Sequence, residues 1–204
     1  MALSPYARCI HVLVVVQALG LAGAATTRAD GTTGDATETT TASAQFRDDC
    51  KEGNAHYAAR DFVGAIAAYQ KAIEIEPNNA LGHYFLGEAQ LAGGNLVEAE
   101  AAWNRASLAA TAKETSLRAR VLFVLADLKE GQKKWDEAKA AWQVYIDWAA
   151  RFPDAGAFPA SALSRQQVID AMQAQDKAYA VVRQRIADTK AGGVFTDLSK
   201  SPPR

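Results

Sequence analysis

The stretch GNAHYAARDFVGAIAAYQKAIEIEPNN, Gly53 to Asn79, decides how the rest of the chain is read. Its Gly53, Ala65, Tyr69 and Ala72 recur as Gly87, Ala99, Trp103 and Ala106, each 34 residues further on. A small, small, aromatic, small series repeated in one register marks a repeat architecture, whose units are usually one supersecondary motif each. A third copy follows after a five-residue insertion, because Ala138 and Trp142 lie 39 residues beyond Ala99 and Trp103. Phe62, Leu96 and Trp135 precede Ala65, Ala99 and Ala138 by three residues in every copy.

Working outward, each unit reads as two helices. Phe62, Ile66, Tyr69 and Ile73 are spaced four, three and four apart, an amphipathic helical stripe. Arg60-Asp61, Gly93-Gly94-Asn95 and Gln132-Lys133-Lys134 mark tight turns within the units. The predicted helices are Phe46 to Ala59 with Phe62 to Ile75, Ala80 to Ala92 with Leu96 to Ala109, and Thr115 to Glu130 with Trp135 to Arg151. One hairpin cannot bury its own apolar face, so such units must stack, and the last one needs a cap with a polar outer side.

These residues resemble the tetratricopeptide repeat (TPR) family. Gly53 to Asn79, with Pro77 near its end, is similar to the family's consensus. Leu86 to Ala106 follows it, with Thr111 where the closing Pro would stand. Leu125 to Trp142 follows it with Ala126 at the small-residue position and Tyr145 at that of the last Ala. The resemblance implies an all-α fold: an α-solenoid of three helix-turn-helix repeats, 46–79, 80–113 and 114–151 within 45–152, with a long C-terminal capping helix over 161–190.

Composition is compatible with this. Of 204 residues 44 are Ala, the best helix former, whereas Gly numbers 14 and Pro 6. Lys plus Arg is 22 against 23 acids, a net charge of -1, which gives no electrostatic reason to expect nucleic acid.

The two ends read differently from the repeats. Residues 1–24 look like a secretory signal: Arg8, an apolar run from Ile10 to Leu21, and Ala22-Gly23-Ala24 as a small-x-small cleavage site. The run holds 12 residues with His11 and Gln17 inside it, short of the ~20 that span a bilayer. The chain is therefore expected to be periplasmic or secreted, cleaved near Ala24, with no stable membrane span afterwards. Residues 25–44 contain eight Thr and no Ile, Leu, Val or aromatic residue, and are expected to be a flexible linker. Cleavage would remove Cys9 and leave Cys50 as a lone thiol, a small buried hydrophobe or a handle for pairing between chains. At the other end, Ile169, Met172, Tyr179, Val182 and Ile186 are expected to form the docking stripe of the capping helix, with Trp148 helping to hold it. Residues 191–204 read as a disordered tail.

Chemistry is expected to be absent. His56 and His83 fall near opposite ends of adjacent first helices and do not make a metal set. The sequence has no HExxH, GxSxG, phosphate-binding loop or CxxCH. No enzyme, cofactor or metal is expected. What remains is the concave face that the resemblance implies, lined by first helices and used in that family to bind peptides or protein segments. Here it would present Arg47, Cys50, Asn54 and Tyr57, then Tyr84, Glu88 and Leu91, then Arg120, Phe123 and Asp127. The family's carboxylate clamp for chaperone tails is not reproduced: Asn54 and Arg120 hold two of its positions, but Cys50, Phe85 and Val124 replace the others. The expected function is an exported interaction module, or scaffold, that binds a peptide or protein partner in this groove, in the setting of cell-envelope assembly. The alternative is a self-associating structural protein using Cys50 or the C-terminal helix. The expected oligomeric state is monomer or weak homodimer.

Overall fold

The computed structural model describes residues 33–190, with side chains placed over 40–189. The signal expected over 1–24, the linker residues 25–32 and the tail 191–204 lie outside the described residues. Seven α-helices and one 3-10 turn, with no strand among the described residues, follow in the order α1 Thr33–Ala58, α2 Phe62–Ile75, α3 Ala80–Ala92, α4 Leu96–Ala109, α5 Thr115–Gly131, α6 Trp135–Arg151, the turn Pro153–Ala155, and α7 Pro159–Lys190. Helices α1 and α2, α3 and α4, and α5 and α6 form antiparallel hairpins that stack in chain order, the all-α solenoid architecture expected from the repeat.

The repeated small and aromatic residues meet inside each hairpin. Gly53 faces the Tyr69 ring, and a Cβ on Gly53 would come within 2.5 Å of it. Gly87 faces Trp103 in the same way, its missing side chain replaced by the indole. Trp103 and Trp142 are both fully buried, and Tyr69 is 2% exposed. Where Gly87 leaves room, the Trp103 indole N–H donates to the Tyr84 carbonyl at 3.3 Å. Where Ala126 stands instead, the Trp142 N–H donates to Glu130 at 3.0 Å. Small residues at fixed offsets thus set how closely paired helices approach, and Ala65, Ala72, Ala99, Ala106 and Ala138 are all fully buried.

The hairpin turns repeat as well. Arg60, Gly94 and Lys133 carry positive φ of 63°, 87° and 59° at equivalent places between the two helices of each unit. Two of these three turns therefore hold a side chain in a conformation that costs about 1 kcal/mol relative to Gly.

Three parts of the structure refine the sequence reading. Helix α1 begins at Thr33, so residues 33–44 continue the helix instead of forming a flexible linker; Ser43 donates to Glu76 at 2.8 Å, tying this extension to the end of α2. Trp148, expected to help hold α7, packs against the cluster that contains Ala162 and Ile169, and it also ties α6 to α5, its N–H donating to the Thr115 carbonyl at 3.1 Å with Arg118 over the ring at 4.8 Å. Finally, only Ile169 of the stripe expected on α7 is buried. At ~100° per residue, Met172, Tyr179, Val182 and Ile186 lie about 60–140° around the helix from Ile169, so they cannot share its contact. The docked stripe is instead Ala162, Gln166, Ile169 and Gln173, which packs on α6.

Candidate functional site

Helix α7 stacks on α6 much as α3 stacks on α2, so four first-position helices, α1, α3, α5 and α7, line one side of the solenoid. The sequence-predicted concave residues sit on the first three of these. Their side chains, however, are not equally free to meet a ligand.

Several are already committed. The Asn54 carbonyl accepts a hydrogen bond from the Tyr69 hydroxyl at 2.8 Å. Leu91 packs into the core cluster built by Trp103, Val121 and Leu128. Phe123 is 38% exposed and sets its ring edge against Trp142 at 5.1 Å and Tyr145 at 5.7 Å. Asp127 is ion-paired with Arg165 of α7 at 2.6 Å, and Arg165 also reaches Glu130 at 3.3 Å. Helix α7 therefore engages the α5 edge of the face and pairs Asp127, although both side chains stay nearly half exposed. The resemblance to the repeat family could place Asp127 on that face but carried no signal for this partner. Cys50 is buried against Phe46 and Ala72, and burial first, then Asp49 and Glu76, pushes its thiol up to about 11. A thiol so protonated is a poor nucleophile at neutral pH.

Four predicted residues do come together. Tyr57 on α1, Tyr84 and Glu88 on α3, and Arg120 on α5 interact electrostatically across the three helices. Arg120 and Arg47 are exposed, whereas Tyr57, Tyr84 and Glu88 are partly buried. Tyr57 sets its edge against Phe62 at 5.6 Å, and Tyr84 lies beside Phe85 at 5.9 Å. Burial, and secondarily the Glu88 charge, raises the Tyr57 and Tyr84 hydroxyls above the ordinary phenol range, so both remain hydrogen-bond donors.

Glu88 is the centre of this cluster. Burial pushes its carboxyl up to about 7, with a hydrogen bond from Tyr84 opposing the shift. Its Oε1 is buried with no hydrogen-bond partner among the described residues. A buried acceptor without a donor costs about 1–3 kcal/mol, a cost that a bound donor can remove. Glu88 is thus poised between neutral and charged forms at ordinary pH.

Nothing here makes a catalytic constellation. Among the described residues no group of three or more His, Cys, Asp or Glu could hold a metal. His56 bonds Asp61 at 2.8 Å beside the first hairpin turn, while His83 bonds the Pro77 carbonyl at 2.8 Å. His56 is accounted for by the turn, whereas His83 leaves its buried Nδ1 without a hydrogen-bond partner among the described residues. No described helix is long and apolar enough to cross a membrane.

Comparison with known proteins bears on this arrangement. Residues 50–115 match the Tetratricopeptide repeat family. No curated protein matches the chain. Among solved structures, the chain is similar to the TPR2B domain of yeast Sti1 in a complex named with pHsp70, at 18% identity and a TM-score of 0.53, covering 63% of this chain and 98% of that one. It is also similar to the first TPR of Spaghetti (RPAP3) bound to the HSP90 peptide SRMEEVD, at 16% identity and a TM-score of 0.50, covering 64% and 96%. Both likenesses rest on the fold. The interlocked hairpins, the matched segment and these neighbours agree: residues 50–115 match the tetratricopeptide repeat family, and the described chain has the all-α helical-repeat solenoid fold of such domains.

Proposed function

We propose that this protein is a scaffold that holds an extended peptide or protein segment in the groove formed by α1, α3 and α5. The observation that carries this reading is the Tyr57–Tyr84–Glu88–Arg120 cluster, with one carboxylate oxygen left without a donor. Two phenols, a guanidinium and a carboxylate supply aromatic anchors and paired polar recognition on a rigid frame, where little ordering cost is incurred on binding. Both solved neighbours are named with a peptide or chaperone ligand, which supports a binding role for the fold.

The partner's chemistry differs from that of an acidic tail. Asn54 is occupied by Tyr69, Cys50 is buried, Phe85 stacks on Tyr69 at 5.5 Å, and a carboxyl sits at Glu88. The occupant fitted to this groove brings an acceptor to the exposed Arg120 and packs over Tyr57 and Tyr84, beneath which the Oε1 of Glu88 is buried. The protein acts without catalysis, and we place it outside the cytoplasm, periplasmic or secreted, because residues 1–24 read as a cleaved signal. Cell-envelope assembly is the process consistent with that location.

The test is affinity capture from an envelope extract with the mature chain, repeated with Tyr57→Ala and Arg120→Ala combined. Loss of one specific partner on mutation supports the groove; unchanged recovery removes it. N-terminal sequencing of the exported protein checks cleavage near Ala24.

A further inference from the structure

Helix α7 carries a second apolar stripe that is about half exposed and that no other described helix buries. Val168, Met172, Tyr179, Val182 and Ile186 are 46%, 44%, 53%, 45% and 51% exposed. With Gln175 they are spaced four, three, four, three and four residues apart, the offsets of a helix-pairing seam. The seam extends over about 27 Å of helix and lies roughly 130° around from the Ala162–Ile169 stripe that docks on α6. One helix thus has two apolar faces, and the repeats cover only one.

We propose that the exposed seam pairs antiparallel with the same seam of a second copy of this chain. The pattern is its own complement. A two-fold axis at Lys177 sets Val168 opposite the partner's Ile186, Met172 opposite the partner's Val182, and Gln175 opposite the partner's Tyr179. Each apolar residue meets an apolar one, and the single amide meets the single phenol, so the one polar layer is satisfied twice. Such a layer fixes register, because a shift of one heptad would leave Gln175 against an apolar side chain.

Asp176 and Arg183 share one edge, where Arg183 already donates to the Asp176 carbonyl at 2.8 Å. In this register that edge meets its own copy and brings Asp176 within about 3 Å, along the axis, of the partner's Asp176, a like-charge approach offset by the Arg183 that each chain holds 3.6 Å from its own Asp176. Ala171 and Ala178 line the other edge and let two helices come close. From Val168 to Thr189 there are three acids (Asp170, Asp176, Asp188) and three bases (Lys177, Arg183, Arg185), a balance that gives no attraction to an anionic membrane. The repeats lie on the far side of α7 from the seam, so two bodies can be held at opposite ends of the pair without collision. A seam of this length is at the small end of specific interfaces, and a dissociation constant on the order of micromolar is expected.

The experiment is sedimentation equilibrium of the full chain over a concentration series, with and without reductant. A reductant-insensitive monomer–dimer equilibrium is expected, shifted at least tenfold toward monomer by Met172→Glu with Val182→Glu. These exposed positions leave the helix content by circular dichroism unchanged. Orientation is read by mixing a tagged Gln175→Cys chain with an untagged Tyr179→Cys chain, which should form the mixed disulfide in preference to either like pair. A chain monomeric at every concentration overturns the proposal, whether the seam is covered by residues 191–204 or left bare. So does a dimer that survives both glutamates, a preference for like disulfides, or binding of the seam to lipid vesicles in place of self-association.

Discussion

Helices α3 and α7 are both first-position helices stacked on a preceding hairpin, yet they are buried very differently. Helix α3 buries Ala80, Gly82, His83, Leu86, Gly87, Ala89 and Gln90, because α2 covers one flank and α4 the other. Helix α7 is more than twice as long, and only Ala162 and Ile169 are buried. Its second flank has no helix to meet among the described residues. The difference shows that an apolar stripe in a solenoid becomes core only when the next unit supplies the other half. A terminal unit leaves that half open to solvent or to another molecule.

The comparison can be broken most directly at the enclosed hairpin. Trp103→Ala removes a fully buried indole from against Gly87 and should cost about 3–5 kcal/mol by denaturant unfolding. If that cost proves no larger than for an exposed α7 residue, enclosure of α3 is not what stabilises the stack. Ile169→Ala should cost about 2 kcal/mol and release α7 first, visible as early amide exchange over 159–190 while the repeats stay protected. Uniform loss of protection would show instead that α7 and the repeats open as one unit.

Enclosure also explains how α3 can carry a carboxyl at about 7. The folded value of Glu88 lies above its unfolded value near 4.5, so the folded chain binds the proton more tightly. Stability should therefore be fully present below 4.5 and fall as pH rises through about 7. Glu88→Gln should flatten that dependence and raise stability at pH 8 by about 1 kcal/mol, with little change at pH 4. A pH profile identical to that of the parent would place Glu88 in solvent. Lys133→Gly should stabilise by about 0.5–1 kcal/mol by relieving a left-handed side chain in the third hairpin turn. The smallest expected effect belongs to the open flank: Tyr179→Ala at a concentration where the chain is monomeric should change stability by less than about 0.5 kcal/mol.

The fold was legible because its signals are local or strictly periodic. The Gly53–Tyr69 and Gly87–Trp103 pairings appear in the sequence as a 34-residue echo, since the geometry that demands them is repeated. The candidate site was legible only as a set of positions. The family resemblance placed Tyr57, Tyr84, Glu88 and Arg120 on one face, but nothing in it showed that Arg165, 38 residues from Asp127, would reach back to pair with that residue. Leu91, carried to the groove by the same resemblance, is partly buried and packs against Trp103 of α4 and Val121 and Leu128 of α5. On α7, reading from Ile169 merged two faces that rotation about the helix axis separates.

By itself, then, the sequence determined the helices, their pairing and the order of stacking, for these follow from residues a few positions or one repeat period apart. Tertiary structure decided which of those faces meet protein and which stay open. That depends on neighbours contributed by distant segments, and on where the succession of units stops at α7. The unpartnered oxygen of Glu88 and the exposed seam of α7 both arise from packing at that level, where no single stretch of sequence holds all the participants.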